Sequence, residues 1–286
     1  MDNVPYAFIE SVLTCLTKED VDAIRANLRA PLWTSAAENH LRKRDHVTLN
    51  LAVKKNGTLL FFSTHAKGEI SLDELLQLDV RFVRIYEFDV ASYESNDFNA
   101  SEMVEMPAER LTDLMRFVSH VPVLSCSILV KNQTFLKRLA EELAMNTITI
   151  RCLALQHFPE MEGFLKGQLE NQNLEDFTLI ELNCPEERRA ELEAFACSAN
   201  FGSLTVSGET PQFDMPTLIR IIDAWKRRPE QRIGIAVPTS KNLTVEFGAL
   251  LMKAPDWKDC FVELTDDYVL EVECCDTYVK MYFVPQ

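Results

Sequence analysis

Apolar residues recur at helical spacing through the first 45 positions of the chain and alternate at strand spacing from Val47 onward. Phe8, Ile9, Val12, Leu13 and Leu16 form one stripe behind Pro5, a residue suited to a first helical turn. Thr17 offers an N-cap for a second helix, with Glu19 and Asp20 near its positive end and Val21, Ile24 and Leu28 on one side. Pro31 restarts the chain, and Trp33, Ala37 and Leu41 mark a third helix that ends in the basic run Arg42, Lys43, Arg44. Three helices followed by strands predict a boundary near residue 46, with a helical module over 1–46 and a body over 47–286.

In the body, Val47 to Val53 alternates, and Leu59 to Phe62 follows the turn signal Lys55, Asn56, Gly57, as in a hairpin. Ser71 and Glu74 form a capping box before a short helix, and a strand is predicted over Val80 to Phe88. Ala91 to Glu105 reads as a loop. Apolar strands and amphipathic helices then alternate, which argues for parallel pairing. Strand centres at Leu129, Ile150, Leu179, Leu204 and Ile235 are 21, 29, 25 and 31 residues apart. That spacing is close to the 20–29 of leucine-rich repeats, where each unit buries its apolar face only against its neighbours. A doubly wound sheet gives similar spacing, but the glycine-rich phosphate loop that accompanies it is missing. Three further strands at 260–264, 268–274 and 278–284 predict a β-rich C-terminal cap. The expected class is α/β: a three-helix module, an irregular strand/helix repeat and that cap.

Charge narrows the partners. The chain has 29 Lys and Arg against 44 Asp and Glu, a net charge of −15. Residues 1–55 carry eight bases and seven acids, so the acidity belongs to the rest. Such a balance disfavours nucleic acid, whose binding needs bases to displace counterions. No apolar run approaches the roughly 20 residues that span a bilayer, and no signal segment opens the chain, so a cytoplasmic or nuclear protein without a membrane partner is expected. The eight cysteines lack metal-like pairs and read as reduced core thiols.

Val4, Pro5, Phe8, Val12, Leu13, Leu16, Val21, Ile24 and Trp33 follow the pattern of an F-box, and the N-terminal helices resemble a degenerate member of that family. With the repeat-like acidic body, the chain is similar to the F-box-related families expanded in nematodes. The resemblance implies that Val4, Pro5, Phe8, Val12, Leu13, Leu16, Val21 and Ile24 dock on the Skp-type adaptor of a cullin-RING ubiquitin ligase. The body would then recruit an unknown protein target. The alternative is a freestanding scaffold whose three helices only cap the first strands.

Catalytic signals are lacking. The five histidines stand without HExxH or GxSxG context, and no glycine pattern would cradle a phosphate. A non-enzymatic protein with no cofactor or metal is expected, with an α/β enzyme of unrecognised site as the remaining alternative. Arg84, Arg151 and Glu181 interrupt apolar strands and are the candidate contacts for a partner on the strand side of the body.

Overall fold

A computed structural model describes residues 4–16, 18–93, 103–156, 158–180, 185–226, 233–239, 259–265, 268–275 and 278–285. The chain divides into two compact units, Met1–Ile150 and Arg151–Gln286. Both are α/β.

The first unit opens with α1 (Tyr6–Cys15), α2 (Lys18–Asn27) and α3 (Pro31–Lys43), the last beginning on Pro31 as the sequence predicts. Thr17, the expected cap of α2, lies outside the described residues. Ile9, Leu13, Val21, Ala36 and Ala37 are fully buried and form the centre of the three helices. Val4, Leu16, Ile24, Trp33 and Leu41 pack around them, half-buried. Burying each large aliphatic side chain contributes about 1.5–3 kcal/mol, so this cluster holds three short helices that would not persist in water alone.

Strands come next. β1 (Asp45–Val53) and β2 (Leu59–His65) form the predicted hairpin, turning at Gly57 with φ +86°, where a side chain would be strained. β3 (Gly68–Glu69) pairs antiparallel with the end of β2, and Ser71 caps the one-turn helix α4 (Leu72–Leu75) through a complete capping box with Glu74. β4 (Val83–Ser92) lies parallel to β1 and begins three residues later than the sequence pattern indicates. β5 (Val104–Met106) pairs with β2 and begins inside the stretch read as loop, since three residues carry too little alternation to register. α5 (Arg110–Ser119), β6 (Val123–Leu129) and α6 (Gln133–Met145) complete the unit, with β6 parallel to β4.

Two arginines tie the end of α1 to α3 and β4. The last carbonyls of a helix have no partner within it. Here the Arg44 guanidinium donates to the carbonyls of Leu13 at 2.7 Å and Leu16 at 2.9 Å. Buried Arg84, on β4, donates to the carbonyls of Leu13 at 3.3 Å and Thr14, and to that of its neighbour Val83 at 2.7 Å. Positive charge at the negative end of α1 adds a favourable dipole contribution.

The second unit repeats a strand-then-helix motif. β7 (Ile150–Gln156), whose first residue ends the first unit, leads through a 3-10 turn (Pro159–Met161) into α7 (Glu162–Glu170). β8 (Asp176–Ile180), α8 (Arg188–Ala196), β9 (Ser203–Ser207), α9 (Met215–Trp225) and β10 (Ile233–Pro238) complete the series. The four strands lie parallel in chain order, without the reversal of a doubly wound sheet. Consecutive right-handed crossovers in one direction put all the connecting helices on one face, and α7 packs on α8 and α8 on α9. Phe177, Phe195, Phe201 and Trp225 form a chain of ring contacts between strands and helices, with centroids 6.2, 5.3 and 5.7 Å apart. Trp225 Nε1 donates to the Ala196 carbonyl at 3.0 Å. Then β11 (Asp259–Thr265), β12 (Tyr268–Cys275) and β13 (Tyr278–Pro285), the expected β-rich end, form an antiparallel meander joined to β10 through β13. No helix among the described residues is long and apolar enough to cross a membrane.

Replacing Arg84 by Met removes the guanidinium that donates to the Thr14 carbonyl, while Leu13 keeps Arg44, and a hydrogen bond to a charged group contributes about 1.5–3 kcal/mol. Urea unfolding is expected to show Arg84→Met destabilised by about 2 kcal/mol, and Arg84→Lys by less.

Candidate functional site

Residues on α1 divide by the helical period. Ile9 and Leu13 point inward, whereas Pro5, Tyr6 and Phe8 face outward, with Phe8 55% and Tyr6 46% exposed. Val12, one turn beyond Phe8, is half-buried on the same side, and Leu32 at the start of α3 is 43% exposed. Of the eight residues expected to meet an adaptor, Leu13 and Val21 are therefore sealed in the helical core and offer no surface. Val4, Leu16 and Ile24 are half-buried against that core. Pro5, Phe8 and Val12 remain as an apolar stripe.

His40 supports this module from below. Its imidazole is fully buried 5.0 Å from the Phe82 ring, with Nε2 3.1 Å from Glu10 Oε2. Burial pushes its pKa below the usual histidine value against the pull of Glu10, so the neutral ring donates that hydrogen bond. It is a core histidine.

The three candidate partner contacts have different fates. Arg84 holds the end of α1, a structural use in place of the expected surface contact, because a cation buried beside a helix terminus supplies donors to carbonyls that have no partner within the helix. Arg151 is exposed and bonds Glu175 at 2.7 Å across β7 and β8. Glu181 lies outside the described residues.

Sheet registers reveal surfaces that spacing along the chain does not. In the second unit Leu153, Leu155, Phe177, Leu179, Leu204 and Val206 are buried against the helices. The alternate residues stand on the opposite face in lateral rows, half-buried apart from the buried Gly234. One row runs Ala154, Thr178, Thr205, Ala236, Lys280, Glu273, closed by a 3.0 Å ion pair between the last two. The next runs Cys152, Asp176, Ser203, Gly234, Tyr282, Glu271.

This second row borders a cleft of about 420 Å³ at the amino ends of β8, β9 and β10, lined by Asp176, Phe201, Gly202, Ser203, Gly234 and Tyr282 among others. Ser203 Oγ donates to Asp176 Oδ1 at 2.6 Å, and the Cys152 thiol donates to Oδ2 at 3.3 Å. Burial and that carboxylate push the Cys152 thiol up to about 12, which makes it a hydrogen-bond donor rather than a nucleophile. Buried Cys126 is shifted in the same direction. A second cleft, of about 350 Å³, lies beside Ser63, Met106 and Arg110, but its Asp73 is ion-paired with Arg110 at 2.7 Å.

In the first unit the comparable row is Asn50, Asp89, Ser127, next to Thr48, Glu87, Ser125. Asp89 is pushed up to about 6 by burial and by the Glu87 carboxylate two residues away on the same face. Among the described residues no three His, Cys, Asp or Glu side chains gather as metal ligands.

The Asp89 shift carries a sign. The folded state holds the proton more tightly than the unfolded chain, whose value is near 3.8, so the burden is absent below that pH and complete above about 6. Asp89→Asn is expected to raise stability by about 1–2 kcal/mol above pH 7, once screening at a half-buried group is allowed for. The gain should shrink as pH falls through 6, as read by denaturant midpoints across that range. Comparison with protein-family models, curated proteins and solved structures finds no match to the chain.

Proposed function

We propose that this protein recruits a target protein to a cullin-RING ubiquitin ligase, docking on a Skp-type adaptor through α1 and holding the target on a leucine-rich-repeat-like body. The reading rests on one observation: Pro5, Phe8 and Val12 form an outward apolar stripe on a helix whose other side already fills the core. Leaving an aromatic ring in water when a helical core is at hand forfeits burial, and contiguous exposed apolar groups mark partner surfaces. Residues at i, i+3 and i+7 are the anchors by which a helix enters an apolar groove. The one-sided sheet of the second unit supports the target-holding half, because among the described residues its face of small and polar side chains carries no helix.

A second reading, a freestanding scaffold, is favoured by a different observation. The Arg44 and Arg84 hydrogen bonds, together with the His40 and Phe82 contact, fasten the helices to β4 in the manner of an N-terminal cap.

Copurification of the full chain with a Skp-type adaptor decides between them. A Pro5→Ala, Phe8→Ala double variant is expected to reduce adaptor retention at least about tenfold, since two central anchors commonly exceed 1.4 kcal/mol together. Its thermal unfolding should match the parent because both residues are exposed. Equal retention of parent and variant would overturn adaptor docking and leave the scaffold.

A further inference from the structure

The cleft at the amino ends of β8, β9 and β10 is built around two glycines where an added side chain would displace a neighbour. A Cβ on Gly202 would stand 2.8 Å from Asp176 Oδ1, and one on Gly234 would stand 2.8 Å from the Tyr282 ring. At Gly57, Gly68, Gly163 and Gly167 nothing lies within 4 Å of that position. The two cleft glycines thus let a carboxylate and an aromatic ring settle against the backbone of neighbouring strands. The ring lies over Gly234 and the carboxylate beside Gly202, and the Gly234 amide donates to the Gly202 carbonyl at 3.0 Å, so ring and carboxylate settle on adjoining backbone positions.

Among the described residues, charge at the cleft is unbalanced. Glu175 is neutralised by Arg151 at 2.7 Å, whereas the hydrogen bonds that Asp176 accepts, from Ser203 and Cys152, come from neutral donors. A carboxylate has about four acceptor positions, so two neutral donors leave it room for more. Glu271, paired in register with Tyr282, adds negative potential on the far side of the ring. Among the described residues the cations next to this row are Arg151, engaged by Glu175, and Lys280 of the adjoining row, engaged by Glu273.

We infer that this cleft binds an arginine side chain presented by a protein segment, its guanidinium stacked on Tyr282 and forked onto Asp176. Guanidinium suits the site better than ammonium because it is planar, stacks on aromatic faces and delivers two parallel N–H donors to a carboxylate. The floor formed with buried Phe201 accommodates the aliphatic stem of the same residue. The inference rests on the target-holding half of the proposed function and not on adaptor docking.

Amide chemical-shift titration of the full chain tests it, with an acetylated, amidated Gly-Gly-Arg-Gly-Gly peptide as probe. Saturable shifts at Ser203 and Gly234 are expected at millimolar concentrations or below, with weaker binding of the lysine peptide and none of the citrulline peptide. Guanidinium chloride at equal concentration should shift these amides far less, which separates a presented side chain from a free cation. Asp176→Asn should weaken peptide binding at least about tenfold, as expected for losing a charge-assisted fork. Gly234→Ala, which displaces the ring and leaves Asp176 intact, serves as the second variant and should weaken binding as well. The Pro5→Ala, Phe8→Ala variant should bind the peptide like the parent, so failure of adaptor docking and failure of the cleft are read separately. No saturable shift in the parent up to about 5 mM, a dissociation range worth only about 3 kcal/mol, would overturn the inference. So would equal affinity for the citrulline peptide, or unchanged affinity in both cleft variants.

Discussion

Parallel strands that receive their helices on one face must bury every second side chain there and leave the rest to solvent. In the second unit that constraint organises nearly everything else: Leu153, Phe177, Leu204 and Ile235 pair laterally or stack toward the helices, and their alternate neighbours become a surface. An all-parallel sheet usually has both faces covered and reads as unbroken apolar strands. Here Thr178, Ser203 and Thr205 interrupt the runs because, among the described residues, the face they occupy carries no helix. The same rule in the first unit places Thr48, Asn50, Glu87 and Asp89 side by side. Burial and the neighbouring Glu87 carboxylate then push Asp89 up to about 6.

Packing of the N-terminal helices depends on a different requirement, that the carbonyls at the end of α1 find donors. Arg44 comes from the end of α3 and Arg84 from β4, so a polar need at one helix end couples three elements. Buried cations are tolerated only when their hydrogen-bonding capacity is taken up, and helix C-termini are suited to do so. The arrangement gives the outward stripe of α1 a firm backing. Preorganised anchors lose less freedom on binding than mobile ones, which is the condition a docking helix needs.

Much of the secondary structure was legible in the residues because each element has its own period. Pro31 at the start of α3, the Lys55, Asn56, Gly57 turn, the Ser71 capping box and the strand/helix alternation from Val123 to Val237 all arise from local chemistry acting over a few residues. The misses have equally local causes. β3 and β5 are too short for a period to show, and Val80 to Phe82 are apolar at both ends without joining the ladder of β4. Among the candidate site residues, Pro5, Phe8 and Val12 reach the surface while Leu13 and Val21 do not. A stripe marks the buried and partner-facing sides of a helix alike, and only the position of α3 tells them apart.

By itself the sequence determined the class of the fold, the order of its longer elements, the acidic balance and the want of a recognisable catalytic or phosphate-binding motif. Tertiary structure decided which residues share a face. Arg84 meets Leu13 and Thr14 from about 70 positions away, and Asp176, Ser203, Gly234 and Tyr282 converge from four strands. Strand register sets such neighbours, and register depends on the packing of whole faces rather than on any short run of residues. Glycines 202 and 234 illustrate the division: in the sequence they are two of eight, and in the fold they are the places where a carboxylate and a ring come to rest against the chain.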